Sequence, residues 1–154
     1  YLYRRVKEDL PADPEILVPL GSARVARAGH HLTVVTWSAM VWKALEAAER
    51  LDREDGLSVE VLDLRSLVPL DDAAIVASLQ RTNRVLIAHE DTRTGGMAGE
   101  IAARINELAF EWLDAPVRRV CAHDVPLPYA PPLEDYILPQ AEDLVAACRW
   151  LANY

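Results

Sequence analysis

Two histidines and several carboxylates fall where a strand would end: His89-Glu90-Asp91 after an apolar run, and His123-Asp124 after another. Trp37-Ser38 and Leu64-Arg65 close two further such runs. Gathered at one edge, two imidazoles and their carboxylates are enough for proton transfer or for holding a metal. No recognised metal-ligand spacing supports the second role. Strand ends are also polar simply because they reach solvent or a subunit interface, and that plainer reading has more in its favour. His30-His31 sits in a turn and reads as solvated surface.

Gly95-Gly96-Met97-Ala98-Gly99 follows a strand and opens a helix, where free N–H groups and the helix dipole can hold a phosphate or carboxylate. It is neither GxGxxG nor a Walker loop, since no Lys-Ser/Thr follows. A tight turn at Gly95-Gly96 with close packing at Gly99 accounts for the same residues. Nucleophilic chemistry has little support. Ser38, Ser58, Ser66 and Ser78 lack an elbow sequence, and Cys121 has only His123 two residues away on the same strand face.

The elements that must position these residues alternate. His31–Trp37, Val59–Leu64, Arg84–Ala88 and Pro116–Cys121 are β-branched or apolar runs, predicted as strands. Between them, Val41, Ala44, Leu45, Ala48 and Leu51 recur at helical spacing after a Ser38 N-cap, and Gly56 ends that helix. Asp71 caps a second helix carrying Ile75, Val76 and Leu79. A third runs from about Met97 to Leu113 with Ile101, Ile105, Leu108 and Trp112 in its stripe. Residues 124–139 hold five of the ten prolines and are expected to be extended. A last helix starts near Pro139, with Leu144, Val145, Cys148 and Leu151 facing inward, and Ile16-Leu17-Val18 is a candidate edge strand. Strands alternating with helices imply an α/β fold, a three-layer α/β/α sandwich around a mostly parallel sheet.

Composition bounds the rest. The 154 residues are 51% hydrophobic and 26% charged, sufficient for a core and unlike a disordered chain. A net charge of −8 argues against nucleic acid and suits a basic protein partner. No apolar run approaches the roughly 20 residues that span a bilayer, so no membrane role is expected. Cys121 and Cys148 lie singly in apolar surroundings, which favours free thiols in a reducing cytoplasm.

Longer strings carry a resemblance. ILVPLGSARVARAGHHLTVVTWSAMVWKALEAA, VEVLDLRSLVPLDDAAI, HEDTRTGGMAGEIAARI and LDAPVRRVCAHDVPLPYAPPLEDYILP follow one another without large gaps. Together they resemble the C-terminal domain of the β subunit of thiamine-diphosphate-dependent 2-oxo acid dehydrogenases, a transketolase C-terminal-like domain. The resemblance implies that residues 1–20 are a linker from a missing N-terminal pyrimidine-binding domain and that 21–154 form the domain itself. It implies a parent enzyme that oxidatively decarboxylates a 2-oxo acid and passes the acyl group to lipoyl groups. AHED and VCAHD favour the branched-chain, 2-oxoisovalerate type, with the pyruvate type as the alternative.

Thiamine diphosphate and Mg²⁺ would belong to the parent enzyme, and this chain alone would bind neither and be inactive. No catalytic, cofactor or metal residue of the family carries over. The implied partners are an α subunit and a second β subunit in an α2β2 heterotetramer, the subunit-binding domain of the acyltransferase core, and a second copy of the isolated chain. Glu90, Asp91 and Arg93, with Tyr129, Tyr136 and Ile137 on an extended proline-rich arm, are then the interface or docking candidates. Two readings from other classes stay open: a free-standing small-anion-binding or regulatory module on the Gly95–Gly99 turn, and an independent enzyme built on His89, Glu90 and His123.

Overall fold

A computed structural model describes residues 9 and 17–154. Its sheet contains β1 (Arg24–Arg27), β2 (Leu32–Thr36), β3 (Val59–Asp63), β4 (Val85–Thr92) and β5 (Arg118–Ala122), in spatial order β1-β3-β2-β4-β5. β1 runs antiparallel to β3, and every other pairing is parallel. The connecting helices are α1 (Met40–Asp55), α2 (Asp72–Thr82), α3 (Met97–Ala109), α4 (Pro131–Ile137) and α5 (Ala141–Ala152), with a 3-10 turn at Phe110–Trp112.

The two-residue period of the central strands divides the core. Leu32, Val34, Val59, Val61, Leu86 and Ala88 face one side, where Ala44, Ala48 and Leu51 of α1 and Leu144, Cys148 and Leu151 of α5 cover them. Val35, Leu62, Val85 and Ile87 face the other, under Ile75 and Leu79 of α2 and Ile101 and Ile105 of α3. Three layers result, and β2 and β3 are buried along their whole length. The inner strands therefore read as near-continuous apolar runs, as expected for a parallel sheet covered on both faces.

Several local details differ from expectation. The edge strand is Arg24–Arg27; Leu17 and Val18 are exposed and outside any strand, and Ile16 lies outside the described residues, as does most of the 1–20 segment. The antiparallel edge is half-solvated and so tolerates arginines, with Arg24 3.5 Å from Asp63 on β3. Ser38 does not cap α1: it stands at φ +57° one residue too early, and Ala39 precedes the helix without a side-chain cap.

Asp71 does cap α2, accepting from the Ala74 N–H at 3.0 Å and also from the Ala23 N–H at 2.8 Å. Gly56 ends α1 at φ +64°, the left-handed conformation its position demands. The proline-rich segment is not uniformly extended. Pro131 and Pro132 occupy the first turn of α4, where a missing N–H costs nothing. α5 begins at Ala141 rather than Pro139, under a capping box between Gln140 and Asp143. Among the described residues no helix is long and apolar enough to cross a membrane.

Candidate functional site

The carboxyl ends of β2, β4 and β5 converge, as parallel topology requires. β4 runs on through Thr92, so His89 belongs to the strand rather than to the following loop. Its side chain is 1% exposed, and its ring lies 5.2 Å from that of Trp37. Neither ring nitrogen has a hydrogen-bond partner. Burial pushes the imidazole below its ordinary pKa of 6.5, against the pull of Asp91 and with the push of Arg119. His89 is thus a neutral core imidazole, poorly placed to exchange protons with solvent.

Its neighbours are engaged differently. Glu90 is half-buried and Asp91 exposed, the latter accepting from the Thr92 N–H at 2.8 Å. Asp124 reaches back to the glycine-containing loop and accepts from the Thr94 N–H at 2.9 Å and the Thr94 hydroxyl at 2.6 Å. Those bonds hold its carboxyl below the usual range. His123 stacks on Tyr136 at 5.7 Å, and its backbone N–H donates to the Ile137 carbonyl at 3.1 Å. Cys121 and His123 make no hydrogen bond to one another, and burial raises the Cys121 thiol despite nearby Arg119 and Arg93. The thiol stays protonated at neutral pH, the wrong state for a nucleophile. Cys148, deep under α1, is pushed up to about 12.

Acid–base groups therefore meet at this edge without forming a catalytic constellation. No group of three or more His, Cys, Asp or Glu side chains among the described residues could hold a metal ion. His31 and His30 lie at the opposite end of the sheet, where His31 Nδ1 accepts from the Ser58 N–H at 2.8 Å and joins the turn before β2 to the start of β3.

The edge of β5 borders a groove of about 540 Å³ lined by Arg93, Arg119, Cys121, His123, Tyr136 and Pro139. Arg119 was not singled out from the sequence, although the Arg118-Arg119 pair stood inside the DAPVRRV string. Beyond the groove lies the proline-rich segment, with Val125, Leu127, Leu133 and Tyr136 exposed and Tyr129 fully so. Ile137 behaves otherwise. It is 8% exposed at the end of α4 and lines the groove, so it offers far less surface than Tyr129 or Tyr136.

Comparison with known proteins follows this geometry. The family described as transketolase, C-terminal domain, matches residues 21–144. A 2-oxoisovalerate dehydrogenase subunit beta of Bacillus subtilis (strain 168) is 43% identical over 153 residues, covering 99% of this chain and 46% of that protein. A mitochondrial pyruvate dehydrogenase E1 component subunit beta-1 of Arabidopsis thaliana is 46% identical over 137 residues, covering 89% of this chain and 38% of that protein. The chain thus spans less than half the length of these curated relatives. Among solved structures, a split-gene transketolase described as an inactive β4 tetramer superposes with a TM-score of 0.77 at 31% identity, covering 92% of this chain and 44% of that one.

Proposed function

Since the chain belongs to the transketolase C-terminal domain family, we propose that it acts as the C-terminal assembly and docking domain of a 2-oxo acid dehydrogenase β subunit. The observation that carries this is the segment from Val125 to Tyr136, where five large apolar side chains, Tyr129 among them, stand exposed within twelve residues. A cluster of that kind beside the strand ends is what a subunit interface requires. Tyr129 and Tyr136 are its anchors, and Glu90, Asp91 and Arg93 its charged border. In this reading the partners are an α subunit and a second β subunit in an α2β2 heterotetramer, and the subunit-binding domain of an acyltransferase core. The isolated chain is expected to pair with itself through the same surface.

The parent enzyme in this reading oxidatively decarboxylates a branched-chain 2-oxo acid on thiamine diphosphate and hands the acyl group to a lipoyl arm. Pyruvate is the competing substrate, since relatives named for each acid are similarly close. The cofactor itself does not fit the residues described. A Mg²⁺-diphosphate needs oxygen ligands for the metal, and the described residues offer no such cluster. The Gly96 turn is also closed from behind, because a β-carbon there would stand 2.2 Å from the Thr92 carbonyl oxygen and 2.6 Å from His89 Cε1. No chemical step is assigned to this chain, and in this reading the partner regions of the assembly hold the cofactor. The compartment is proposed as the cytoplasm, whose reducing conditions suit two unpaired thiols; several relatives carry mitochondrial names.

The test is to capture the native protein from its own cells and assay it with 2-oxoisovalerate and with pyruvate, with and without thiamine diphosphate. Cofactor-dependent decarboxylation, faster with 2-oxoisovalerate, is expected. Preference for pyruvate would move the assignment to the other substrate, and activity with neither acid would remove it.

A further inference from the structure

We propose that the outer edge of β5 takes an extended segment of a partner chain as a further strand of the sheet. β5 closes the order β1-β3-β2-β4-β5, so among the described residues one side of its backbone faces no strand. The backbone of 118–122 bonds there to β4 alone, and the first bond beyond it joins the His123 N–H to the Ile137 carbonyl at 3.1 Å. Arg119, Val120 and Cys121 all line the groove of about 540 Å³. Successive strand residues point to opposite faces, so three in a row border one groove only along the strand's edge. Unpaired N–H and C=O groups along such a groove recognise another extended backbone. The opposite edge of the sheet is protected: β1 breaks register between Val25 and Arg27, and its arginines pair with Asp63 and Asp52. Val120-Cys121-Ala122 carries no such device.

Charge decides the occupant. One side of the groove belongs to the α3 layer: Arg119 Nη1 lies 3.4 Å from where a β-carbon on Gly99 would stand and donates to the Arg93 carbonyl at 3.3 Å. Neither Arg93 nor Arg119 has an ion-pair partner among the described residues, whereas seven other arginines do. Asp91 and Asp124 are nearby but accept from the Thr92 N–H and the Thr94 hydroxyl. The other side is the turn into α5, tied to α1 where Lys43 donates to the Pro139 carbonyl at 2.6 Å. Asp135, Glu142 and Asp143 line it. Glu142 pairs with Arg50, and Asp143 accepts from the Gln140 N–H at 2.8 Å, which leaves Asp135 without an ion pair among the described residues. An added strand alternates its side chains between these two sides, so it fits with acids toward Arg93 and Arg119 and a basic residue toward Asp135. A second copy of β5 does not fit. Pairing two identical edges about a two-fold axis keeps like faces together, so both copies' Arg93 and Arg119 would meet on one side as like charges. The occupant is therefore an extended peptide with acids at every second position.

The experiment titrates the full chain with an acetylated, amidated peptide that alternates glutamate with valine and lysine, followed by calorimetry and amide hydrogen exchange. Saturable one-site binding is expected, with exchange slowed at alternate amides of β5. N-methylating one alternate set of peptide amides should weaken binding about tenfold or more, and the other set should leave it unchanged, because a strand pairs through one edge. Arg119→Gln should weaken binding about threefold to tenfold. Arg118→Gln should leave it unchanged, because Arg118 lies over the Trp150 ring, 4.3 Å from its centroid, and outside the groove. Tyr129→Ser, also outside the groove, should leave it unchanged, so this outcome is separate from that of the exposed apolar segment. No saturable binding, equal loss from the two methylated sets, or equal weakening by Arg118→Gln and Arg119→Gln would overturn the proposal. Peptide binding that competes with self-association of the chain would assign the edge to a second copy and overturn it as well.

Discussion

Replacing His89 with leucine tests the reading of the strand-end edge as packed structure rather than catalytic machinery. The imidazole is 1% exposed, against Trp37 and Gly96, with neither nitrogen bonded. A buried polar group without a partner costs about 1–3 kcal/mol, and an apolar residue of similar size removes that cost. Leucine gives up some ring contact with Trp37, so His89→Leu is expected to be neutral or stabilising by about 1 kcal/mol at pH 7.5. The stronger signature lies in the pH dependence. The folded-state pKa of His89 is depressed below 6.5, so below pH 6.5 the unfolded chain takes up a proton that the folded chain refuses.

Stability that is fully present above pH 6.5 is therefore lost as the pH falls toward the folded-state value, by at most about 1.4 kcal/mol per pH unit. Asp91 opposes the depression and Arg119 reinforces it, and both remain in the variant. Urea unfolding at pH 7.5, 6.5 and 5.5, followed by tryptophan fluorescence, measures the difference between the two proteins. All other titrating groups are common to both and cancel. The advantage of His89→Leu should grow as the pH falls from 6.5 to 5.5, by at most about 1 kcal/mol. Parallel pH profiles, or a variant that is destabilised by several kcal/mol at every pH, would refute the reasoning.

Three further outcomes follow from the packing. Gly96→Ala should lower stability by about 2–3 kcal/mol, because its β-carbon meets backbone at Thr92; Gly95→Ala, at φ +77° with open space around it, should cost about 1 kcal/mol in the same chemical-denaturation assay. Asp71→Ala removes one carboxylate that serves both the α2 cap and the Ala23 N–H, and should cost about 1–3 kcal/mol, with amide exchange rising first at Ala23 and Ala74. Glu60 is buried beside a half-exposed Arg81 at 2.7 Å, so Arg81→Met should cost about 2 kcal/mol by leaving the carboxylate with Thr33 as its one remaining donor, and Glu60→Gln less, about 1 kcal/mol. Unfolding curves of the two single variants read that asymmetry directly.

How much of this was legible in the residues depended on what sets each element. The inner strands and the α1 and α5 faces were readable because burial on both sides of a parallel sheet writes a strong apolar pattern; of the expected α3 stripe only Ile101 and Ile105 are buried, since the helix ends at Ala109 and Leu108 and Trp112 are exposed. Gly56 and Asp71 announced their caps because no other residue type serves those positions as well. β1 was displaced to Ile16-Leu17-Val18 because an antiparallel edge strand needs little burial, so RVAR carries no apolar run. Composition makes Pro131 and Pro132 part of an extended run, whereas they start a helix, a distinction that rests on register and not on composition.

The candidate site shows the same division. His89, Asp91 and Asp124 were found as strand-end polar residues, but only geometry separates a buried unpartnered imidazole from a solvated one. That Ile137 is covered while Tyr129 and Tyr136 on the same segment are exposed is a tertiary fact. Arg119 went unnoticed for a similar reason. Its meeting with the first turn of α3 joins residues twenty positions apart, and no local pattern encodes that approach.

The central claim is that this domain exists to assemble a heteromeric 2-oxo acid dehydrogenase. Native mass spectrometry of the complex captured from its own cells tests that most directly, comparing the parent protein with one carrying Tyr129→Ser and Tyr136→Ser. The account predicts α and β subunits in equal number in the parent sample, and a shift toward dissociated subunits when the two exposed tyrosines are removed. A chain recovered without an α subunit, or an assembly indifferent to both substitutions, would contradict it.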